Sequence, residues 1–302
     1  MLGTLTLIFP LISIVLIGFG CARLKFLNQD NLAGVSRFIF YVCIPAFLFL
    51  NMQGAELTEV VSLGLLASFY LPVLSVYLSV LLVFRLINKQ WAKSAVLALG
   101  ASYSNTVLIG LPIAIQALGK EVAATVFVII TFHSALLFLL TYAFCGKSQN
   151  LNWRTTARQL IINPVILPIS LGVLANVSGL KLFAPIEQGL SLLGDPAIAG
   201  ALFVLGANLH HYRIKSGLKL ALILSLVKIL LLPAVVWLCA TYLFILPTEQ
   251  TLLLVLISSA PLGVNAYLVA KELNTHNDIL ASSVVLSTVL SAFSYVLWLN
   301  WV

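Results

Sequence analysis

The chain has 302 residues, 61% of them hydrophobic and only 8% charged, with a mean hydropathy of +1.11. A soluble domain carries roughly 25% charged and about 45–50% apolar residues, so this composition is that of an integral membrane protein. At roughly 20 apolar residues per spanning helix the chain is consumed by about ten spans, which excludes a separate catalytic or ligand-binding domain outside the bilayer. The net charge of +7 would suggest a nucleic-acid partner in a soluble protein. Here the basic residues sit mostly in short loops, so they report topology, and the partner is the lipid bilayer.

Apolar runs between charged or turn-rich breaks give spans at 4–22, 32–52, 60–86, 94–118, 122–145, 159–177, 187–209, 217–245, 250–271 and 278–300. Backbone groups in hydrocarbon must be satisfied within the structure, and runs this long and this apolar do so as helices. The first run is not read as a signal peptide, because nothing basic precedes it and Arg23 and Lys25 follow it. Cys21, Cys43, Cys145 and Cys239 form no C-x-x-C pair, which points to neither a disulfide framework nor a metal site.

The odd-numbered loops hold Arg23 and Lys25, then Arg85, Lys89 and Lys93, then Lys147, Arg154 and Arg158, then Arg213, Lys215 and Lys219, and finally Lys271. The even-numbered loops hold only Lys120 and Lys181, while Arg37 and Lys228 lie within spans 2 and 8. The positive-inside rule places the odd loops in the cytoplasm. Both termini then face the non-cytoplasmic side of a cell (inner) membrane crossed many times.

The two halves of the chain match in order. Phe9 to Gly18 in span 1 and Asn163 to Gly172 in span 6 each carry Pro followed eight residues later by Gly. Pro45 corresponds to Pro196, Pro72 to Pro233, and Thr131-x-x-Ser134 to Thr288-x-x-Ser291. Five spans per half is an odd number, so the second half enters the membrane inverted, an arrangement common in transporters. The expected organisation is a first five-helix repeat over 1–146, a cytoplasmic linker over 147–158 and an inverted repeat over 159–302.

Spans 4 and 9 are the most polar and the least regular, with SYSNTVLIGLP from Ser102 to Pro112 and SSAPLGVNAY from Ser258 to Tyr267. Proline removes a helical hydrogen bond and clashes with the preceding turn, and Gly110 and Gly263 weaken the same stretches. Both helices are therefore expected to break, with second half-helices starting at Pro112 and Pro261, since proline suits a first helical turn. In an inverted repeat these two N-termini meet near the midplane, and each carries about half a positive charge and unpaired N–H groups. Together with Asn105, Asn265, Ser102, Ser104 and Ser259 they would bind an anion without a fixed cation. The competing reading is ordinary proline kinks, with the Asn residues joining neighbouring helices. Asp195 and Lys228 are candidates for an intramembrane pair, against a shallow Asp195 and a snorkelling Lys228. His133 in span 5 is read either as a proton relay or as a buried neutral side chain.

These residues resemble the auxin efflux carrier family of membrane transporters, itself related in fold to the bile acid:sodium symporter-like transporters. The similarity is strongest over Pro261 to Val285 and Asn105 to Pro112, and extends to Asn163 to Leu174, Ala201 to Leu209 and Phe40 to Phe47. The resemblance implies a scaffold of spans 1, 2, 6 and 7 and a mobile transport unit of spans 3–5 and 8–10, with the substrate at the crossing of spans 4 and 9. The substrate-binding residues expected from the broken spans are Asn105, Gly110, Pro112, Ser259, Pro261, Gly263 and Asn265. Plant-type members have a second proline where this chain has Ala266 beside Asn265, which speaks against an aromatic, auxin-like substrate.

The function expected is a secondary transporter of a small organic anion, a carboxylate, working by alternating access of the elevator type. No cofactor is expected, no phosphate-binding loop supports ATP as driver, and the coupling ion, proton or sodium, stays open. A channel or receptor is the alternative, and a membrane-embedded enzyme ranks below it, because the spans lack the carboxylate or His clusters such chemistry requires. Gly189, Gly194, Gly200, Ala201, Gly206 and Ala207 in span 7 suit close helix packing and leave room for a homodimer through the scaffold helices.

Overall fold

In a computed structural model the described residues are all-helical apart from turns and one isolated β-bridge. The structure describes residues 2–55, 62–145, 164–211 and 217–302. The expected linker at 147–158, with Lys147, Arg154 and Arg158, lies outside them, as do Asn163, Arg213 and Lys215. In chain order the α-helices are α1 (Leu2–Arg23), α2 (Gln29–Phe38), α3 (Ile44–Gln53), α4 (Leu63–Asn88), α5 (Trp91–Ser102), α6 (Leu111–Leu118), α7 (Ala123–Cys145) and α8 (Ile166–Val177). There follow α9 (Ala184–Gly194), α10 (Ala197–His211), α11 (Leu218–Leu226), α12 (Leu232–Leu238), α13 (Thr248–Ser258), α14 (Val264–Glu272) and α15 (Asn277–Trp301).

Six described stretches are long and apolar enough to cross a membrane: Gln29–Gln53, Leu63–Ile87, Lys120–Cys145, Ala184–His210, Leu218–Leu243 and Asn277–Trp301. They fall on the expected spans 2, 3, 5, 7, 8 and 10. The shorter apolar helices Phe9–Arg23, Thr106–Leu118, Leu167–Val177 and Thr248–Ser258 fall on spans 1, 4, 6 and 9.

Three of the prolines behave in a common way that the sequence reading did not anticipate. Pro45, Pro112 and Pro233 each stand two residues beyond a five-residue π-turn, at Ile39–Cys43, Thr106–Gly110 and Val227–Leu231. The residue just before each proline donates its amide to the carbonyl five residues back: Ile44 to Ile39, Leu111 to Thr106 and Leu232 to Val227. The widened turn gives the pyrrolidine ring room, so the helix continues through the proline. At Pro233 the released carbonyl finds other donors: Ile229, four residues before it, accepts from Ser294 Oγ at 2.6 Å and Trp298 Nε1 at 3.4 Å. This corrects the expectation that a half-helix starts at Pro112.

Close backbone contact joins the outer helices. A Cβ on Gly18 of α1 would run into the Phe203 carbonyl of α10, and one on Gly206 into the Val15 carbonyl of α1. Gly194 packs against Phe47 and Gly200 against Ile39, so three glycines of the span 7 stripe are used inside the chain; only Gly189 among the stripe's glycines faces open space. Asn176 at the end of α8 donates to the Gln53 and Ala55 carbonyls at 2.8 and 2.7 Å, closing the C-terminal end of α3. At the centre, every residue of α5 from Ser94 to Ser102 and of α13 from Leu253 to Ser258 is buried. Helices apolar on all sides belong inside a bundle, and these two lead into the site.

Candidate functional site

The chain leaves helical conformation at Tyr103 to Asn105 in span 4 and at Ser259 to Gly263 in span 9. The two extended pieces cross antiparallel and pair as a single β-bridge between Ser104 and Leu262. Asn105 N–H donates to the Pro261 carbonyl at 2.8 Å and Gly263 N–H to the Tyr103 carbonyl at 3.2 Å. The outward-facing amides are also received: Ser104 N–H by His133 Nε2 and Leu262 N–H by Ser287 Oγ, both at 3.0 Å. Breaking two helices inside an apolar bundle would leave orphan amides; mutual pairing plus one side chain from α7 and one from α15 satisfies those of Ser104, Asn105, Leu262 and Gly263. The helices leading in, α5 with 12 residues and α13 with 11, are about 17–18 Å long at 1.5 Å per residue. That is somewhat over half of a roughly 30 Å hydrocarbon layer.

Beyond the bridge each chain becomes helical again, at Thr106 with Asn105 as N-cap and at Val264 with Gly263 as N-cap. The Asn105 carbonyl accepts from Ile109 and Gly110, and the Gly263 carbonyl from Ala266. Thr106, Val107, Leu108, Val264 and Asn265 therefore carry the first-turn amides that a helix cannot satisfy internally. All five line one cavity of about 600 Å³. The half-helix of span 9 thus begins three residues after Pro261, which itself lies in the extended piece, correcting the second expected start point.

The residues marked from the sequence divide into two groups. Asn105, Gly263 and Asn265 line the cavity; Gly110, Pro112, Ser259 and Pro261 are buried behind it. Ser259 and Ser102 turn their hydroxyls back onto their own helices, to Val255 at 2.6 Å and Ala98 at 2.8 Å, so their protons are not offered to an anion. Gly110 lies against Ala260 and Ile257, where the strands of the crossing approach. Asn105 is 6% exposed, and its side-chain nitrogen has no partner, nor has the Ser104 hydroxyl. Asn265 Nδ2 donates to the Tyr103 hydroxyl at 3.3 Å, which meets Ser134 Oγ at 2.9 Å. Tyr103 is held by stacking between His133 and Phe138, at centroid distances of 5.2 and 5.0 Å. A Cβ on Gly263 would enter that ring, which is why glycine stands there.

Sequence reasoning missed Arg37, Tyr103, Ser134 and Asn208, all of which line the cavity. Arg37 is its single charged lining residue among those described, and its position within a span was the available signal. The candidate pair is corrected as well. Lys228 is fully buried and donates to the Ser258 and Ala260 carbonyls at 2.6 and 2.7 Å, whereas Asp195 is exposed at the end of α9.

The chain matches the model of the Membrane transport protein family over residues 4–299. It belongs to that family, the auxin efflux carriers and their relatives. It is 22% identical over 297 residues to a Rhizobium meliloti protein provisionally named a malonate transporter, covering 94% of this chain and 91% of that one. An uncharacterized transporter of Methanocaldococcus jannaschii is 23% identical over 302 residues, covering 96% and 95%. Auxin efflux carrier component 8 of Arabidopsis thaliana is 24% identical over 335 residues, covering 91% of each. This auxin efflux carrier family member is therefore a membrane-embedded transporter by family, and the family is one of transporters rather than enzymes.

Proposed function

We propose that the chain is a secondary transporter that carries a small carboxylate across the cell membrane by alternating access, with ten membrane helices arranged as two inverted five-helix repeats. The observation that carries this reading is the pairing of the broken spans, which turns two helix N-termini onto one cavity. Partial positive charge and free N–H groups suit a carboxylate, and the Asn105 and Asn265 amides stand beside them. Arg37 in α2 adds a full positive charge to the same cavity, which suits a second carboxylate, as in the malonate of the Rhizobium protein's name. The repeat is supported by the reciprocal hydrogen bonding at the crossing, where spans 4 and 9 exchange amides and spans 5 and 10 each supply one acceptor.

Access from alternate sides is supported by a second recess of about 700 Å³ lined by Asn51, Gly54, Lys120, Glu121 and Glu249. It lies at the ends of the even-numbered loops, whereas Arg37, Tyr142, Pro164 and Asn208 of the first cavity lie toward the odd, cytoplasmic ones. Along α7 the two are separated from Thr125 to Ile130, about 7–8 Å at the helical rise, by the buried Val126, Phe127 and Ile129. In this reading the structure is open to the cytoplasm, and spans 3–5 and 8–10 move against spans 1, 2, 6 and 7. Self-association through the scaffold would use the α9 face around Gly189, which the intramolecular contacts leave free.

Uptake of radiolabelled malonate and its diamide into proteoliposomes tests the reading. Saturable uptake of the acid alone is expected, and unitary currents in a planar bilayer would replace a carrier by a channel. In a cysteine-free background, a cysteine at Lys181 should react with an impermeant reagent from outside the cell and one at Lys89 should not.

A further inference from the structure

Where α13 ends at Ser258 and the chain turns extended, the last carbonyls of the half-helix have no amide to accept from, and the negative end of the helix dipole lies inside the bundle. The last of them, on Ser258, and the carbonyl of Ala260 in the extended piece converge on a single point occupied by Lys228 Nζ, at 2.6 and 2.7 Å. The hydroxyl that could have competed, Ser259 Oγ, is turned back to Val255 and Leu256 at 2.6 and 3.1 Å. Unwound carbonyls at the C-terminal end of a half-helix are the oxygen ligands with which transporters of this construction hold a monovalent cation. The π-turn Val227–Leu231 carries Lys228, and Ser294 and Trp298 fix that turn through the Ile229 carbonyl. The lysine is completely shut off from solvent, so its place is not that of a side chain snorkelling to the interface.

We propose that the carbonyl cup formed by Ser258 and Ala260 is a monovalent-cation site, filled in this chain by the Lys228 ammonium in place of a coupling metal ion. The consequence, resting on the transporter reading above, is that transport needs neither sodium nor potassium. The positive charge at the crossing is supplied by the protein and stays with the ninth span through the transport cycle.

The test has one arm without variants and one without substrate. Wild-type protein in proteoliposomes should take up malonate at rates within about twofold of one another in sodium, potassium and choline media of equal ionic strength, since no site for the metal is left open. Lys228→Ala should lose uptake by more than about tenfold, because two buried carbonyls lose a charged donor, and should regain part of it in ammonium or methylammonium. In detergent, ammonium, methylammonium or sodium should raise the melting temperature of Lys228→Ala and leave that of the wild type unchanged, a response that simple loss of packing would not produce. A sodium requirement in the wild type, full transport by Lys228→Met, or a Lys228→Ala protein indifferent to all three cations would overturn the proposal. Should the alanine variant not fold, the wild-type comparison decides alone. Absence of any carboxylate uptake by the wild type would count against the transporter reading, and the melting measurements would still decide the cation site.

Discussion

The Asn105→Ala substitution separates the ligand-binding role proposed for this residue from its structural one, because the two pull in opposite directions. The backbone of Asn105 holds the crossing together: its N–H donates to Pro261 and its carbonyl accepts from Ile109 and Gly110. Alanine keeps all three bonds. The side-chain nitrogen, by contrast, is buried without a hydrogen-bond partner from the protein, and an unsatisfied buried donor costs about 1–3 kcal/mol. Removing it relieves that cost against a loss of packing on the order of 1 kcal/mol for the atoms deleted, so the unliganded variant should melt at the wild-type temperature or above it. Binding should suffer, since a hydrogen bond to a charged group contributes about 1.5–3 kcal/mol, or about a tenfold to hundredfold loss in affinity. Isothermal titration with malonate and a melting curve on the same detergent preparation measure both. Unchanged affinity in a folded variant would refute the assignment of Asn105 to the substrate. A fall in affinity accompanied by an equal fall in melting temperature would place its importance in the crossing instead.

Gly263→Ala should fold less well and transport poorly, because its methyl group enters the Tyr103 ring; pairing it with Tyr103→Ala should recover folding, measured by size-exclusion profile, without recovering uptake. Arg37→Gln should weaken binding of malonate more than that of acetate, by about tenfold if a charged hydrogen bond is lost, and equal weakening of both in titrations would remove Arg37 from substrate selection. His276, in the loop before α15, is held below its ordinary value by burial and by nearby Lys93. The unfolded chain therefore takes a proton near pH 6.5 while the folded one resists it, so stability present above that pH is lost as the solution is acidified below it. His276→Asn, which also tolerates the left-handed φ of 55° at that position, should flatten the melting temperature between about pH 7 and 5; an unaltered profile would assign the acid sensitivity elsewhere.

The existence of the two broken helices was legible because Ser, Asn, Gly and Pro interrupt otherwise apolar runs in spans 4 and 9. The position of the breaks was not. Reading proline as the breaking residue placed them at Pro112 and Pro261, but a π-turn absorbs Pro112, and the chain opens seven to nine residues earlier, at Tyr103 to Asn105. What fixes the break there is an exchange of amides with residues 261 and 263, more than 150 positions away, and such pairing carries no local signature. Lys228 was misassigned for a related reason. Sequence shows side-chain charges and suggested Asp195, whereas the acceptors it meets are main-chain carbonyls, which look alike at every position. Arg37 could be seen as an unusual charge within a span, but only the folding of α2 beside the crossing puts it on the cavity.

The crossing also explains the place of His133. An antiparallel bridge leaves one outward amide on each strand, and the frame requires only that each find an acceptor; imidazole does this on one side and the Ser287 hydroxyl on the other. Because Nε2 receives the Ser104 N–H, the proton of the neutral ring resides on Nδ1, which is buried and unpartnered. A second proton could enter only at Nε2, at the expense of the Ser104 bond and of the bridge beside it. His133 does not line the cavity; it stacks on Tyr103, whose hydroxyl accepts from the Asn265 amide, so the ring positions cavity-lining groups without standing in the cavity itself. Around the crossing Lys228 donates to the Ser258 and Ala260 carbonyls behind it and Arg37 lines the cavity in front, while the Asn105 and Asn265 amides are neutral groups.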